Sequence, residues 1–156
     1  LQPRECEQFL AKVNDVLKPD DYFLLGLDLQ KETSLLEAAY NDSQGITAAF
    51  NLNMLQHLNR RFNGDFDITQ FSHRAAYDPN KAQIEMYLKS LKAQTVHLQA
   101  LDFTVHFEQD EYLLSEISRK FDLQKISQVL NKHRLPVLKM FTDQSRWFGL
   151  LLCQRT

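Results

Sequence analysis

Glycine is scarce in this chain. Its 156 residues include four, Gly26, Gly45, Gly64 and Gly149, and no two are close. A glycine-rich loop for a nucleotide or nucleoside needs consecutive backbone groups that turn tightly and approach the ligand closely. Isolated glycines cannot build one. Cysteine is as sparse: Cys6 and Cys153 lie near opposite ends and match no metal or redox spacing. Both read as reduced thiols of a cytoplasmic protein. An excess of one charge is also lacking. Lys and Arg total 18 against 20 Asp and Glu, a net charge of −2 with no basic block, so nucleic acid is not an expected partner. The longest strongly apolar run, Tyr22 to Leu27, is far too short to cross a bilayer, and no signal-peptide pattern is visible. No membrane partner is expected.

What remains is an ordinary globular composition, 44% apolar and 24% charged, long enough to bury a real core. Residues 3–17 predict a helix. Pro3 suits its first position, and Cys6, Phe9, Leu10, Val13, Val16 and Leu17 make an apolar stripe. "KPDD" breaks it, and "YFLLGLDL" follows as a nearly continuous apolar run. That run predicts a strand buried on both faces and, after a helix, part of a parallel α/β sheet.

Two further helices are predicted, over 32–40 and 47–62, separated by the turn residues "NDSQG". Asn51 and Asn53 in the longer one are weak helix formers, so packing must stabilise it. After Gly64 the period changes to two. Alternating segments around Phe71–Tyr77, Ile84–Leu88, "TVHLQ" and Leu101–Glu108 predict an antiparallel sheet, polar on one side. Asp122 can cap a helix carrying Leu123, Ile126, Val129 and Leu130, with Pro136 blocking its continuation. Two apolar strands around "DQS" then read as a hairpin. The ends look like α/β material and the middle like an inserted α+β unit.

The chemistry-bearing residues are ambiguous from periodicity alone. His57, His73, His97, His106 and His133 show no ligand spacing on one helix face, and no metal site is expected. Tyr40 and Met86 fit as core residues. In "EYLLSEISRKF", Glu116 and Ser118 stand two apart, so a strand would aim both at one face. That face is either solvated or a site for a ligand with nitrogen donors.

Four stretches, "LLGLDLQKE", "AAYNDSQGITAAFNLNMLQHLNR", "IEMYL" and "LLSEISRKF", resemble the histidine-specific, S-adenosylmethionine-dependent methyltransferases, the family that makes trimethylhistidine (hercynine) for ergothioneine biosynthesis. The resemblance runs over nearly the whole chain but matches the C-terminal half of the family. It implies that the N-terminal half, with the cofactor's glycine loop, lies outside these residues. The chain is then a fragment, inactive alone, without S-adenosylmethionine binding of its own and prone to self-association. The implied fold is α/β with an α+β insert. Residues 1–30 and 121–156 would be the C-terminal part of a class I Rossmann-like methyltransferase sheet. Residues 31–120 would be an inserted substrate-binding domain of antiparallel sheet and helices.

The resemblance also implies site roles: Tyr40 for the carboxylate of L-histidine, Met86 in the pocket wall, and Glu116 with Ser118 for the imidazole. It assigns no general base. The family often has Asp where Asn41 stands and Cys where Arg119 stands. Two other readings are an N-methyltransferase for another aromatic amino acid, such as tryptophan, and a non-catalytic binding or interaction domain. Glu116 argues against the first, because an indole offers one N–H and no acceptor nitrogen.

Overall fold

The computed structural model describes residues 3–156. The chain is mixed α/β and divides into two units. The first takes in the described residues through Glu32, then Pro79–Gln83 and Ser118–Thr156; the second is Thr33–Asp78 with Ile84–Ile117.

In the first unit, α1 (Pro3–Val16) leads to β1 (Tyr22–Asp28), α4 (Leu123–Lys132) and the hairpin β7 (Val137–Thr142) and β8 (Phe148–Gln154). These strands form a sheet in the order β1-β8-β7, with β1 antiparallel to β8 and β8 to β7. Leu10 of α1, Leu27 of β1, Ile126 and Leu130 of α4, and Leu151 and Cys153 of β8 share one core. Burial raises the Cys153 thiol pKa. α4 begins as expected, with Asp122 accepting from the Lys125 N–H at 2.9 Å, which satisfies an orphan donor of the first turn.

Two expectations for β1 are corrected. Its strand partner among the described residues is antiparallel β8, with only a bridge from Leu29 to Phe121 running parallel. Its burial alternates rather than persisting: Leu27 is buried, whereas Tyr22 and Leu24 are 60% and 57% exposed. An apolar run reads the same whether one face or both are covered, and here α1 and α4 pack only on the face bearing Phe23, Leu25 and Leu27.

In the second unit, α2 (Thr33–Tyr40) and α3 (Ile46–Phe62) precede β2 (Phe71–Asp78), β3 (Gln83–Ser90), β4 (Gln94–Leu98), β5 (Phe103–Phe107) and β6 (Tyr112–Arg119). Gln83 of β3 and the last residues of β6, Ser118 and Arg119, belong to the first unit. The strands make two sheets, β2-β3-β6 and β4-β5, where the alternation had predicted one. β6 takes the edge of β3 that β4 would otherwise fill: the Ser90 N–H donates to the Glu111 carbonyl, and the Ser90 carbonyl accepts from the Asp110 N–H. One core joins Leu55 of α3 with Phe71, Leu88, Val96 and Phe107. A second gathers Leu36, Ala75, Ile84 and Met86.

α3 starts from Gly45, whose φ of 70° is left-handed and suits glycine. The carboxylate of Asp42 reaches over it to accept from the Ile46 and Thr47 N–H groups, each at 2.8 Å. Hydrogen bonds from Thr47 and Ile46 lower its pKa to about 2. At the other end, the Asn59 carboxamide donates to the Phe66 carbonyl and accepts from the Phe66 N–H, pinning the following loop.

A lowered carboxylate pKa stabilises the fold above its ordinary value of 3.8, and that contribution is lost as pH falls below it through the folded one. Acid titration followed by far-ultraviolet circular dichroism should therefore show wild-type helix stability declining from below pH 3.8 toward about 2. Asp42→Asn should remove that part of the decline. A variant that titrates like wild type would show that the Asp42 cap contributes nothing.

Candidate functional site

The structure distributes the four candidate residues over two neighbourhoods of the second unit and one of the first. Tyr40 closes α2 and is half-buried against the cluster containing Met86. Met86 is 1% exposed, on the face of β3 it shares with Ile84 and Leu88. Its carbonyl accepts from the Ser115 hydroxyl at 2.9 Å, tying β3 to β6.

Glu116 follows on β6 and is exposed. It lines a cavity of about 260 Å³ with Ser115 and with Phe50, Asn51, Asn53, Met54 and His57 of α3. The Phe50 ring is 65% exposed there. Tyr40 and Met86 are not among this cavity's walls.

Asn51 connects these two neighbourhoods. It is 3% exposed on α3. Its Nδ2 donates to the Tyr87 carbonyl at 3.1 Å and to His73 Nδ1 at 2.9 Å. With Nδ1 accepting, the other ring nitrogen of His73 is the donor, and Nε2 lies 2.8 Å from the Tyr40 carbonyl. The end of α2 is held a second time: Asn41, after Tyr40, donates to the Ala75 carbonyl at 3.0 Å and accepts from the Ala75 N–H at 2.9 Å. Periodicity placed Asn51 in a helix and His73 on a strand. It carried no sign that they meet, because 22 residues separate them.

Ser118 sits in the first unit. Its hydroxyl oxygen accepts from Lys120 Nζ at 2.9 Å. The Lys120 side chain is 0% exposed, and Nζ also binds Asp28 at 2.7 Å, while Lys31 reaches the other oxygen of Asp28 at 2.6 Å. Burial pushes the Asp28 pKa up, but hydrogen bonds from Lys120 and Lys31 outweigh it and hold the group below its ordinary 3.8. A fully buried ammonium so paired has no sequence signal, since lysine is ordinarily a surface residue and Asp28 lies 92 positions away. No group of three or more His, Cys, Asp or Glu that could hold a metal occurs among the described residues. No helix among them is long and apolar enough to cross a membrane.

These positions acquire meaning from comparison with known proteins. The profile of the family described as histidine-specific methyltransferase, SAM-dependent, matches residues 1–155. The chain belongs to this family. It is 40% identical over 155 residues to the histidine N-alpha-methyltransferase of Mycolicibacterium smegmatis and 39% identical over 155 residues to that of Mycobacterium tuberculosis. Each match covers 99% of this chain and 48% of the relative. The ergothioneine biosynthesis protein 1 of Schizosaccharomyces pombe is 26% identical over 130 residues, covering 83% of this chain and 17% of that protein. The chain spans about half the length of the curated bacterial relatives it matches.

The Asp28–Lys120 pair makes a testable asymmetry. Asp28→Asn strips the buried ammonium of its counter-charge and should cost roughly 3 kcal/mol of stability at neutral pH. Lys120→Met removes the buried charge itself and leaves Asp28 with Lys31, so it should cost clearly less. Urea unfolding of both variants measures the order. The reverse order would mean that Lys120 Nζ is solvated rather than dependent on Asp28.

Proposed function

We propose that this chain is the C-terminal part of an S-adenosylmethionine-dependent enzyme that methylates the α-amine of L-histidine to trimethylhistidine, and that it supplies most of the amino-acid pocket. On this reading the first unit is part of a class I methyltransferase sheet, and the second is the inserted substrate-binding domain. The observation that carries the reading is Glu116. In a chain of the histidine-specific family, it presents an exposed carboxylate to a cavity walled by the Phe50 ring and by polar groups of α3.

An imidazole has two ring nitrogens on different edges, and recognising it needs a partner for each. Glu116 accepts from one N–H. Ser118, two residues along the same strand, serves the other nitrogen. An aromatic wall adds attraction to a ring that can carry positive charge. Tyr40 binds the carboxylate, with its place at the end of α2 fixed by the His73 and Asn41 hydrogen bonds. Met86 acts from behind, in the core cluster on which Tyr40 packs.

On this reading the glycines of this chain serve its own packing and turns rather than a cradle for S-adenosylmethionine. A Cβ at Gly26, Gly64 or Gly149 would run into side chains of this same chain, and Gly45 stands alone. The reading assigns the cofactor, which supplies the methyl group, to residues outside these 156. The residues present position the amino acid. Methyl transfer to an unprotonated amine depends on orientation, and no residue here is assigned as a base.

In the whole enzyme, Glu116→Ala should weaken histidine binding by roughly 1–3 kcal/mol, about tenfold to a hundredfold, because an imidazole N–H loses a charged acceptor. It should also narrow the preference for histidine over phenylalanine and tryptophan. Ser118→Ala should cost less, since a neutral hydrogen bond is weaker than a charge-assisted one. Tyr40→Phe should weaken all three amino acids alike. Dissociation constants for the three ligands on wild type and variants decide it. If Glu116→Ala leaves the histidine-to-phenylalanine ratio unchanged, Glu116 is a solvated strand residue and the reading fails.

A further inference from the structure

The cavity beside Glu116 holds a second acceptor. Asn51 lines this cavity, although only 3% of its surface stays exposed. Both hydrogens of its Nδ2 are spent, on the Tyr87 carbonyl and on His73 Nδ1. Its Oδ1 accepts no hydrogen bond among the described residues. Nor is that oxygen sealed from solvent. Among the described residues, the enclosed side-chain atoms that lack a partner belong to Asn14, Arg119 and Arg155. The little surface that Asn51 keeps therefore includes its carbonyl oxygen, at the cavity wall.

The orientation of this oxygen is fixed. Turning the carboxamide over would set Oδ1 against the Tyr87 carbonyl, two acceptors face to face. An acceptor held in this way loses no side-chain freedom when a ligand arrives. The cavity is also one-sided in charge. Glu116 brings a carboxylate, and no lysine or arginine lines the cavity among the described residues. Phe50 and Met54 supply an apolar side on which a flat ring can lie.

Two acceptors ask for two donors. A neutral imidazole has one N–H and one bare nitrogen, and the bare nitrogen would oppose an oxygen lone pair. An imidazolium carries an N–H on each nitrogen, together with the charge that Glu116 favours. We propose that Asn51 is a specificity-determining residue of the amino-acid site, and that the cavity takes the side chain of L-histidine as the imidazolium. Glu116 accepts from one ring N–H, and Asn51 Oδ1 accepts from the other, alongside Ser118. The proposal rests on the reading of Glu116 as an imidazole acceptor and goes beyond it by fixing the protonation state of the bound ring. Selecting that state costs little. With an ordinary pKa of about 6.5, roughly a quarter of free imidazole rings are already charged at neutral pH.

Nitrogen NMR of ring-labelled L-histidine bound to the whole enzyme tests the protonation state. At about pH 7.5 roughly nine in ten free rings are neutral, whereas the bound ring should show both nitrogens protonated. One protonated and one bare nitrogen in the complex would overturn the proposal and leave Glu116 as an acceptor. The underlying reading fails by a different result, an unchanged histidine-to-phenylalanine ratio in Glu116→Ala. Asn51→Ser should lower that ratio by about tenfold through the lost acceptor. Loosening of Tyr40 through His73 would weaken both amino acids alike and cancel in the ratio, so a ratio equal to wild type counts against Asn51. A readout on wild-type protein needs no variant to fold. The carboxamide carbon of Asn51 should shift on saturation with histidine and stay in place with phenylalanine, and an equal response to both would overturn the proposal.

Discussion

The second unit depends on one carboxamide. Asn51 is a poor residue for the middle of a helix, and a buried amide with unused hydrogens would cost about 1–3 kcal/mol more. Both costs are offset because its two N–H groups are spent on β2 and β3, at His73 and the Tyr87 carbonyl. The His73 ring passes the constraint on to the last carbonyl of α2. Two strands and a helix end are thereby registered against α3 by polar contacts that hydrophobic packing alone could not specify. Directional bonds of this kind favour a single arrangement over a family of similar ones.

The first unit uses the same logic with a full charge. Lys120 follows β6 and Asp28 ends β1, and an ammonium enclosed there needs acceptors around it, Asp28 and Ser118 among them. Lys31 supports the carboxylate from its other side and also donates to the Trp147 carbonyl. Ser118 is thus oriented by a core ion pair rather than by surface contacts. Its hydroxyl oxygen accepts from the Lys120 ammonium.

Most elements were legible in the sequence because their signals are local. The Asp122 cap, the stripe of α4, the break at "KPDD" and the turn around "DQS" each act within a few residues of themselves, and each element stands where those signals put it. The failures are non-local. Whether the second face of β1 is covered depends on a layer that "YFLLGLDL" cannot encode. The division of the middle strands into two sheets depends on β3 pairing with β6 rather than with β4. The site shows the same contrast. Glu116 and Ser118 drew notice from their spacing, whereas Asn51, His73, Lys120 and Asp28 matter through partners 22 to 92 residues distant. Tyr40 and Met86 were singled out only by family resemblance, and their own periodicity says core, where both indeed pack.

Placing Glu116 and Ser118 on one extended strand turns the backbone into a ruler. Two residues of pleated chain span roughly 6.6–6.8 Å whatever side chains surround them. The register of that strand is anchored on either side of the pair, by the Ser115 hydroxyl on the Met86 carbonyl and by the Lys120 N–H on the Ala82 carbonyl. Point substitutions can change what each mark on the ruler offers, but not the distance between the marks. Inserting one residue between them would turn one of the two side chains to the opposite face of the strand.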